Sequence, residues 1–141
     1  MDDQPADAHP NSATAPGRSL QRLVARGLQR RYRRNTVIIS EGERGDTLFV
    51  LLSGRAKAYS VDGRGREVTY GIHGPGAMFG EMSLDGGPRS ASIITLEPTL
   101  CAVITRQALL EHIAEHPEFA LELLTRVIAR ARLATQSTRN M

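Results

Sequence analysis

Apolar residues recur at helical spacing at both ends of the chain, and in short strand-like runs between the ends. Near the start, one face of a predicted helix, from about residue 18 to residue 32, carries Leu20, Leu23, Val24 and Leu28. Towards the end, the helical pattern resumes at Arg106–Glu115 and stops before Pro117, because proline disfavours helical backbone in the residue that precedes it. A last helix is predicted over about 118–135, with an apolar stripe of Phe119, Leu123, Val127 and Ala131.

The middle of the chain has the pattern of short β-strands separated by glycine-rich turns. The predicted strands cover residues 36–39, 47–52, 56–61, 68–72, 91–95 and 99–105. The turn Asp62-Gly63-Arg64-Gly65 is a strong hairpin signal between the third and the fourth of them. Many short strands at this spacing indicate a β-sandwich or roll, so the predicted order is helix, β-roll and two helices.

Composition indicates one globular domain behind a polar tail. The chain has 141 residues, of which 40% are hydrophobic and 23% charged, with a net charge of +3. Residues 1–17 contain three prolines and little apolar surface, so we predict a disordered tail there and a folded domain over residues 18–141.

Cysteine usage and hydropathy bear on the cellular compartment. Cys101 is the single cysteine and lies in an apolar run, so we expect a buried thiol and no internal disulfide. We find no signal-peptide pattern and no apolar run long enough to cross a bilayer. A cytoplasmic location without a membrane span is therefore expected.

Residues 79–93 combine glycines with two charged residues in an apolar frame. Gly80 allows the backbone to approach a ligand closely, and the turn 81–84 is predicted to be a short helix whose free N–H groups point towards an anion. Arg89, after a Gly-Gly-Pro bend, presents a planar fork of donors that suits two phosphate oxygens. Charges in such a frame usually need a partner, and the pair Glu81 and Arg89 indicates a ligand that carries a hydroxyl and an anion.

This segment resembles the phosphate-binding cassette of the cyclic-nucleotide-binding domain. That domain is shared by catabolite-activator-type regulators, protein kinase A regulatory subunits and cyclic-nucleotide-gated channels. The likeness extends over about residues 20–135, and its supporting motifs are Glu41-Gly42-Glu43, Gly45-Asp46 and Leu52-Ser53-Gly54. It implies an α+β, mainly β fold: a double-stranded β-helix, or jelly-roll barrel, with one N-terminal and two C-terminal helices. It also implies that residues 118–135 form a lid.

The resemblance assigns a role to each candidate site residue. Glu81 is expected to accept a hydrogen bond from the ribose 2′-hydroxyl, and Arg89 to bind the cyclic phosphate. The cradle is completed by Gly80 and by backbone N–H groups near Met82, Ser83, Ser90 and Ala91. The expected base contacts are Tyr70 and Gly71 on the strand wall, and Arg130, Leu133, Ala134 or Thr135 on the lid helix. A serine follows the arginine, as in several members that prefer cAMP, so cAMP is the expected ligand, cGMP is the alternative, and no cofactor is expected.

The expected function is that of a non-enzymatic sensor that signals through movement of its C-terminal helices. The output would pass through a dimer mate, an effector protein or a missing domain. Leu123, Val127 and Ala131 offer a seam for a homodimer, although packing on their own roll explains them equally well. DNA is not expected as a partner, because regulators of this family read DNA with a helix-turn-helix that follows the long helix, and the chain ends too soon for one.

Two other functions stay open at this point. A basic cluster around Tyr32 could bind nucleic acid, although a solvated helix face explains it as well; its members are Arg26, Arg30, Arg31, Arg33 and Arg34. The chain could also be a ligand-free scaffold of the same fold.

The sequence gives little support for metal binding or for catalysis. His112 and His116 have the four-residue spacing of a helical metal site, but no third ligand is evident, so a solvated helix face is the preferred interpretation and no metal is expected. No Gly-x-Ser-x-Gly nucleophile elbow or Walker A loop occurs in the chain.

Overall fold

Two four-stranded antiparallel sheets face each other, and three helices flank one of them. The computed structural model describes residues 18–139, except for the side chains of Met82 and residues 133–139, and the predicted disordered tail over residues 1–17 lies outside the described residues. The helices are α1 (Arg18–Ala25), α2 (Arg106–Glu115) and α3 (Glu118–Arg139). The strands are β1 (Leu28–Tyr32), β2 (Val37–Ile39), β3 (Leu48–Ser53), β4 (Ala56–Val61), β5 (Glu67–His73), β6 (Met78–Phe79), β7 (Ser92–Thr95) and β8 (Thr99–Ile104).

The strand order produces a jelly roll. One sheet has the order β1-β8-β3-β6 and the other β2-β7-β4-β5, so neighbours in space are mostly distant along the chain. The mainly β roll with one N-terminal and two C-terminal helices is confirmed, and all six predicted strands occur. The long last helix extends beyond its predicted end, to Arg139.

The prediction of a helix over residues 18–32 is wrong in its second half. The chain leaves α1 after Ala25, and Leu28–Tyr32 pairs with β8, where Leu28 faces Val103 and Tyr32 faces Thr99. Gly27 permits this approach, because a Cβ there would lie 2.7 Å from the Val103 carbonyl oxygen. Leu28 is 74% exposed, so its helical spacing with Leu20 and Val24 did not reflect a shared buried face.

Two hydrophobic cores lie on either side of the sheet that contains β3 and β8. The helical core packs the three helices against this sheet, and its members include Leu20, Leu23, Leu48, Val50, Ile104, Leu109, Phe119 and Leu123. The roll core fills the space between the two sheets, with Ile39, Phe49, Leu51, Ala56, Ala58, Phe79 and Ile93. Cys101 is fully buried, and its burial raises the thiol pKa to about 11, as expected of an unreactive core cysteine.

No helix in the described part of the chain is long and apolar enough to cross a membrane.

Candidate functional site

A cleft opens beside the roll core at the point where the predicted cassette meets α3. It encloses about 270 Å³, part of it open to solvent. Its apolar lining is Ile39, Phe79 and Ile93, and the rest of the lining is Gly80, Glu81, Ser83, Arg89, Ser90, Ala91 and Arg130. A cleft lined by apolar side chains together with a few polar and charged groups is typical of a site for a small organic ligand.

Arg89 is a buried cation without a carboxylate partner. Its side chain is only 8% exposed, and within the described residues its one hydrogen bond goes from Nη1 to the Gly80 carbonyl oxygen, at 3.4 Å. Burial lowers the pKa of the guanidinium, and the negative charges of Asp46 and Glu43 partly oppose this shift. Arginine nevertheless remains charged at neutral pH, so the site holds a positive charge that an anion would stabilise.

Two glycines leave space for the guanidinium of Arg89. Gly80 has a φ of 97°, and a Cβ there would lie 2.6 Å from the Thr47 carbonyl oxygen and 2.7 Å from Nη1 of Arg89. A Cβ at Gly45 would lie 3.0 Å from Nη2 of the same side chain. Any side chain at Gly80 therefore meets both a strained backbone conformation and a steric clash.

The turn between β2 and β3 holds the backbone of Arg89. The Arg89 N–H donates to the Glu43 carbonyl oxygen at 2.8 Å, and the Gly42 N–H donates to the Arg89 carbonyl oxygen at 2.9 Å. This explains the physical role of the Glu41-Gly42-Glu43 and Gly45-Asp46 motifs: they position the arginine from outside the cassette.

Glu81 is a buried carboxylate that is only partly satisfied. It begins the 3-10 turn Glu81–Ser83 and is 3% exposed. Its Oε1 has no hydrogen-bond partner among the described residues, and its Oε2 forms an ion pair with Arg130 Nε at 2.9 Å without the alignment of a hydrogen bond. Burial raises the pKa of Glu81, and Arg130 limits this rise. The free oxygen can accept a hydrogen bond from a ligand hydroxyl.

Arg130 connects α3 to the cleft. Besides its ion pair with Glu81, its Nη2 donates to the Met78 carbonyl oxygen at 3.1 Å. The sequence suggested a contact with a nucleotide base at this position, whereas the structure places its guanidinium on the carboxylate.

The other cassette residues differ in what they can offer. Ser90 and Ala91 line the cleft, and their N–H groups have no acceptor among the described residues, so they are available to an anion. Ser83 also lines the cleft, but its N–H already donates to the Gly80 carbonyl oxygen at 3.1 Å. Met82 belongs to the 3-10 turn, and its side chain lies outside the described part of the structure.

The expected base contacts are less well placed. Tyr70 is 54% exposed on β5 and, like Gly71, does not line the cleft. Leu133, Ala134 and Thr135 belong to α3, but their side chains fall outside the described residues. The sequence did not indicate that His73 lies beside the cleft residue Phe79. The two rings pack edge-on, with their centroids 5.4 Å apart. Burial and the neighbouring charge of Arg130 lower the pKa of His73.

The basic cluster around Tyr32 does not lie on the face of one helix, as the sequence predicted. Arg26 forms ion pairs with Glu111 and Glu115, and the other arginines of the basic cluster lie on β1 and the turn after it, which corrects the predicted helix face. Across the residues described, no group of three potential ligands suits a metal ion.

The structure removes one residue from the predicted homodimer seam. Leu123 is buried in the helical core and Val127 is half-buried, whereas Ala131 is exposed. Among the described side chains, the large apolar residues exposed on α3 are Leu121, Leu124 and Ile128.

Comparisons with known proteins agree with this geometry. Residues 29–116 match the family model described as cyclic nucleotide-binding domain. A CRP-like cAMP-activated global transcriptional regulator of Mycobacterium tuberculosis is 40% identical over 100 residues, which cover 70% of this chain and 44% of that protein. The cyclic AMP receptor protein of Thermus thermophilus is 35% identical over 107 residues, covering 75% of this chain and 50% of that protein.

A solved structure extends the likeness to the fold. The crystal structure of the Thermus thermophilus catabolite activator protein has a TM-score of 0.78 and 30% identity, covering 87% of this chain and 58% of that one. The chain thus spans about half the length of the curated relatives that it matches. Because the family model covers most of the roll, including the cleft-lining cassette, the chain belongs to the cyclic nucleotide-binding domain family.

Proposed function

We propose that this chain is a regulatory domain that binds cAMP in the cleft and responds through α3. The observation that carries the proposal is the pair of buried, incompletely satisfied charges: Arg89, with no carboxylate partner among the described residues, and Glu81, with a free Oε1. A cyclic nucleotide supplies the phosphate anion and the ribose hydroxyl that this pair lacks.

In this proposal each group of the cleft has one task. The guanidinium of Arg89 binds two phosphate oxygens, and the N–H groups of Ser90 and Ala91 donate to the same phosphate. Glu81 accepts a hydrogen bond from the ribose 2′-hydroxyl. The apolar floor of Ile39, Phe79 and Ile93 covers the face of the bound nucleotide.

The response arises because α3 shares Glu81 with the ligand. Arg130 holds the carboxylate from α3 in the structure, and a 2′-hydroxyl that binds the same group changes the strength of that ion pair. A ligand shifts the position of α3 only as far as it binds one arrangement better than the other. Tyr70, Gly71 and the end of α3 remain the proposed neighbours of the base, and residues 18–141 the proposed domain.

The downstream partner is also part of the proposal. One of the two curated relatives described above is named a transcriptional regulator and the other a cyclic AMP receptor protein, and this chain covers about half of each, so the expectation that DNA is not a partner has no support. We propose that the output passes to a further region or to a partner, including a second copy.

Calorimetric titration tests the proposal. Cyclic AMP, cGMP and a cyclic dinucleotide are titrated into the wild type, Arg89→Ala and Arg55→Ala; Arg55 is a matched control because it forms an exposed ion pair with Glu97. Loss of the buried charge partner costs about 2–5 kcal/mol, roughly a 30-fold to several-thousand-fold weaker affinity for cAMP. Wild-type affinity in Arg89→Ala contradicts the site, and no binding of any nucleotide by the wild type favours the ligand-free scaffold.

A further inference from the structure

His112 is the polar centre of the helical core. It is fully buried on α2, and its Nε2 lies 3.2 Å from the Ser19 hydroxyl of α1. Its ring packs edge-on against Phe119 of α3 at 5.0 Å and lies 4.9 Å from the ring of His116 at the end of α2. One imidazole therefore contacts all three helices.

The hydrogen bonding of His112 suits only the neutral ring. Its Nδ1 is buried and has no hydrogen-bond partner among the described residues. A neutral imidazole has one N–H donor and one acceptor, so Nε2–H can donate to Ser19 while Nδ1 remains an unpaired acceptor. Protonation would turn Nδ1 into a buried charged donor without an acceptor, which is far more costly.

The surrounding charges do not offset that cost. The charged and titratable groups that act on His112 are Arg26 just after α1, Glu115 at the end of α2 and His116 just after it, and Glu118 at the start of α3. The carboxylate of Glu115 is already paired with Arg26, and that of Glu118 lies 3.7 Å from Nδ1 of His116. Burial, followed by the repulsion from His116 and Arg26, keeps the pKa of His112 below its ordinary value despite the two carboxylates.

We propose that His112 is a proton-sensitive joint between α1, α2 and α3, and that its protonation opens this junction while the β-roll stays folded. The consequence reaches the cleft, because α3 carries Arg130 to Glu81. Acid would then release the helix through which we propose that the domain responds. The joint itself does not depend on the identity of the ligand.

The direction of the pH effect follows from proton linkage. The open form has an exposed imidazole and binds a proton at an ordinary pKa near 6.5, whereas the closed form binds it only at lower pH. The opening equilibrium is therefore constant above about pH 6.5 and increases below it. One proton corresponds to at most a roughly tenfold increase per pH unit.

Hydrogen exchange resolved by segment tests the joint on the full chain without any ligand. Exchange is measured at pH 7.5 and pH 5.5 and corrected for the intrinsic dependence of exchange on pH. We expect the amides of α2 and α3 to lose protection up to about tenfold at the lower pH, while those of β3 and β8 do not. His112→Phe, which cannot titrate, is expected to remove this difference.

Two groups of the roll, His73 and Glu81, serve as internal controls. His73 also has a lowered pKa, so His73→Phe is the matched control and is expected to retain the acid response of α2 and α3. Glu81 has a raised pKa, so its protonation stabilises the fold as the pH falls, the opposite sign to His112. The difference between the wild type and His112→Phe therefore isolates the joint.

A pH-dependent loss of protection that persists in His112→Phe, or that spreads equally over β3 and β8, overturns the proposal. Should His112→Phe not fold, the imidazole signals of the wild type are titrated by NMR. The expected result is a His112 pKa below 6.5, with amide shifts of α2 and α3 that follow the same titration. A ring that titrates at or above 6.5, or without any shift in α2 and α3, overturns the proposal as well.

Discussion

The two hydrophobic cores both bury polar side chains, but the roll core buries charges and the helical core buries a neutral ring. Beside the roll core, Glu81 and Arg89 are 3% and 8% exposed, and neither has a full set of partners. In the helical core, the ring of His112 has one hydrogen bond among the described residues, with the Ser19 hydroxyl, and its lowered pKa keeps it uncharged at neutral pH.

The difference supports the proposal of a ligand site beside the roll core and not in the helical core. Buried charges without full pairing reduce folding stability, and a ligand that completes their hydrogen bonds recovers part of that free energy on binding. The neutral ring of His112 leaves one buried acceptor unpaired, and this cost increases sharply when the ring is protonated.

The largest effect is expected from Gly80→Ala. The substitution forces a φ of 97° on a residue with a Cβ and places that atom 2.6 Å from the Thr47 carbonyl oxygen. We expect the free energy of unfolding in urea to fall by about 3 kcal/mol, with loss of cAMP binding.

Gly65→Ala is the matched control for this prediction. Gly65 has a φ of 80°, but a Cβ there would meet no atom within 4 Å, so only the backbone strain of about 1 kcal/mol applies. Equal destabilisation by the two substitutions would show that close approach at Gly80 is unimportant.

A smaller effect is expected when the carboxylate of Glu81 is neutralised. If Glu81 accepts the 2′-hydroxyl, the wild type should bind 2′-deoxy-cAMP about 10- to 100-fold more weakly than cAMP, since a hydrogen bond to a charged group contributes about 1.5–3 kcal/mol. Glu81→Gln should discriminate less between the two nucleotides in calorimetric titrations. Equal binding of both nucleotides by the wild type would assign the free Oε1 another role.

The smallest effect is expected at the link between α3 and the cleft. Arg130→Leu leaves Glu81 without its ion-pair partner, but the arginine side chain is 30% exposed, so solvent screening limits the loss of unfolding free energy to about 1 kcal/mol.

Urea denaturation of Arg130→Leu and Arg132→Leu measures this link, because Arg132 is exposed on the same helix and has no ion pair among the described residues. The effect of Arg130→Leu should shrink in a Glu81→Gln background. Additive effects of the two substitutions would mean that the ion pair contributes nothing.

Local rules made some elements of this protein predictable and others not. The helix Arg106–Glu115 was predicted to the residue, because Pro117 ends it and Thr105 caps its start with a side-chain hydrogen bond to the Ala108 N–H. Strand β1 was not predicted from the sequence, because Leu28–Tyr32 has no strand-like pattern and is extended only through its pairing with β8.

The residues of the candidate site also divide into those that the sequence identified and those that it did not. The spacing of Gly80, Glu81 and Arg89 within one segment was readable as anion chemistry, and the structure places all three at the cleft. Ile39 could not be assigned to it, because it reaches the cleft only when β2 pairs with β7, which places it opposite Ile93 of the predicted segment. Gly45 belongs to the site only because the folded turn lies against the guanidinium.

By itself, the sequence determined the turns, both ends of α2 and the cassette segment, since these depend on backbone preferences and on groups a few residues apart. Only the tertiary structure decided that Arg89 is buried with no carboxylate partner among the described residues, that Arg130 pairs with Glu81, and that His112 joins three helices. Each of these depends on how much water the closed roll and its helices exclude and on which distant groups they bring into contact. Neither the exclusion of water nor the contact between distant groups is a property of a short segment.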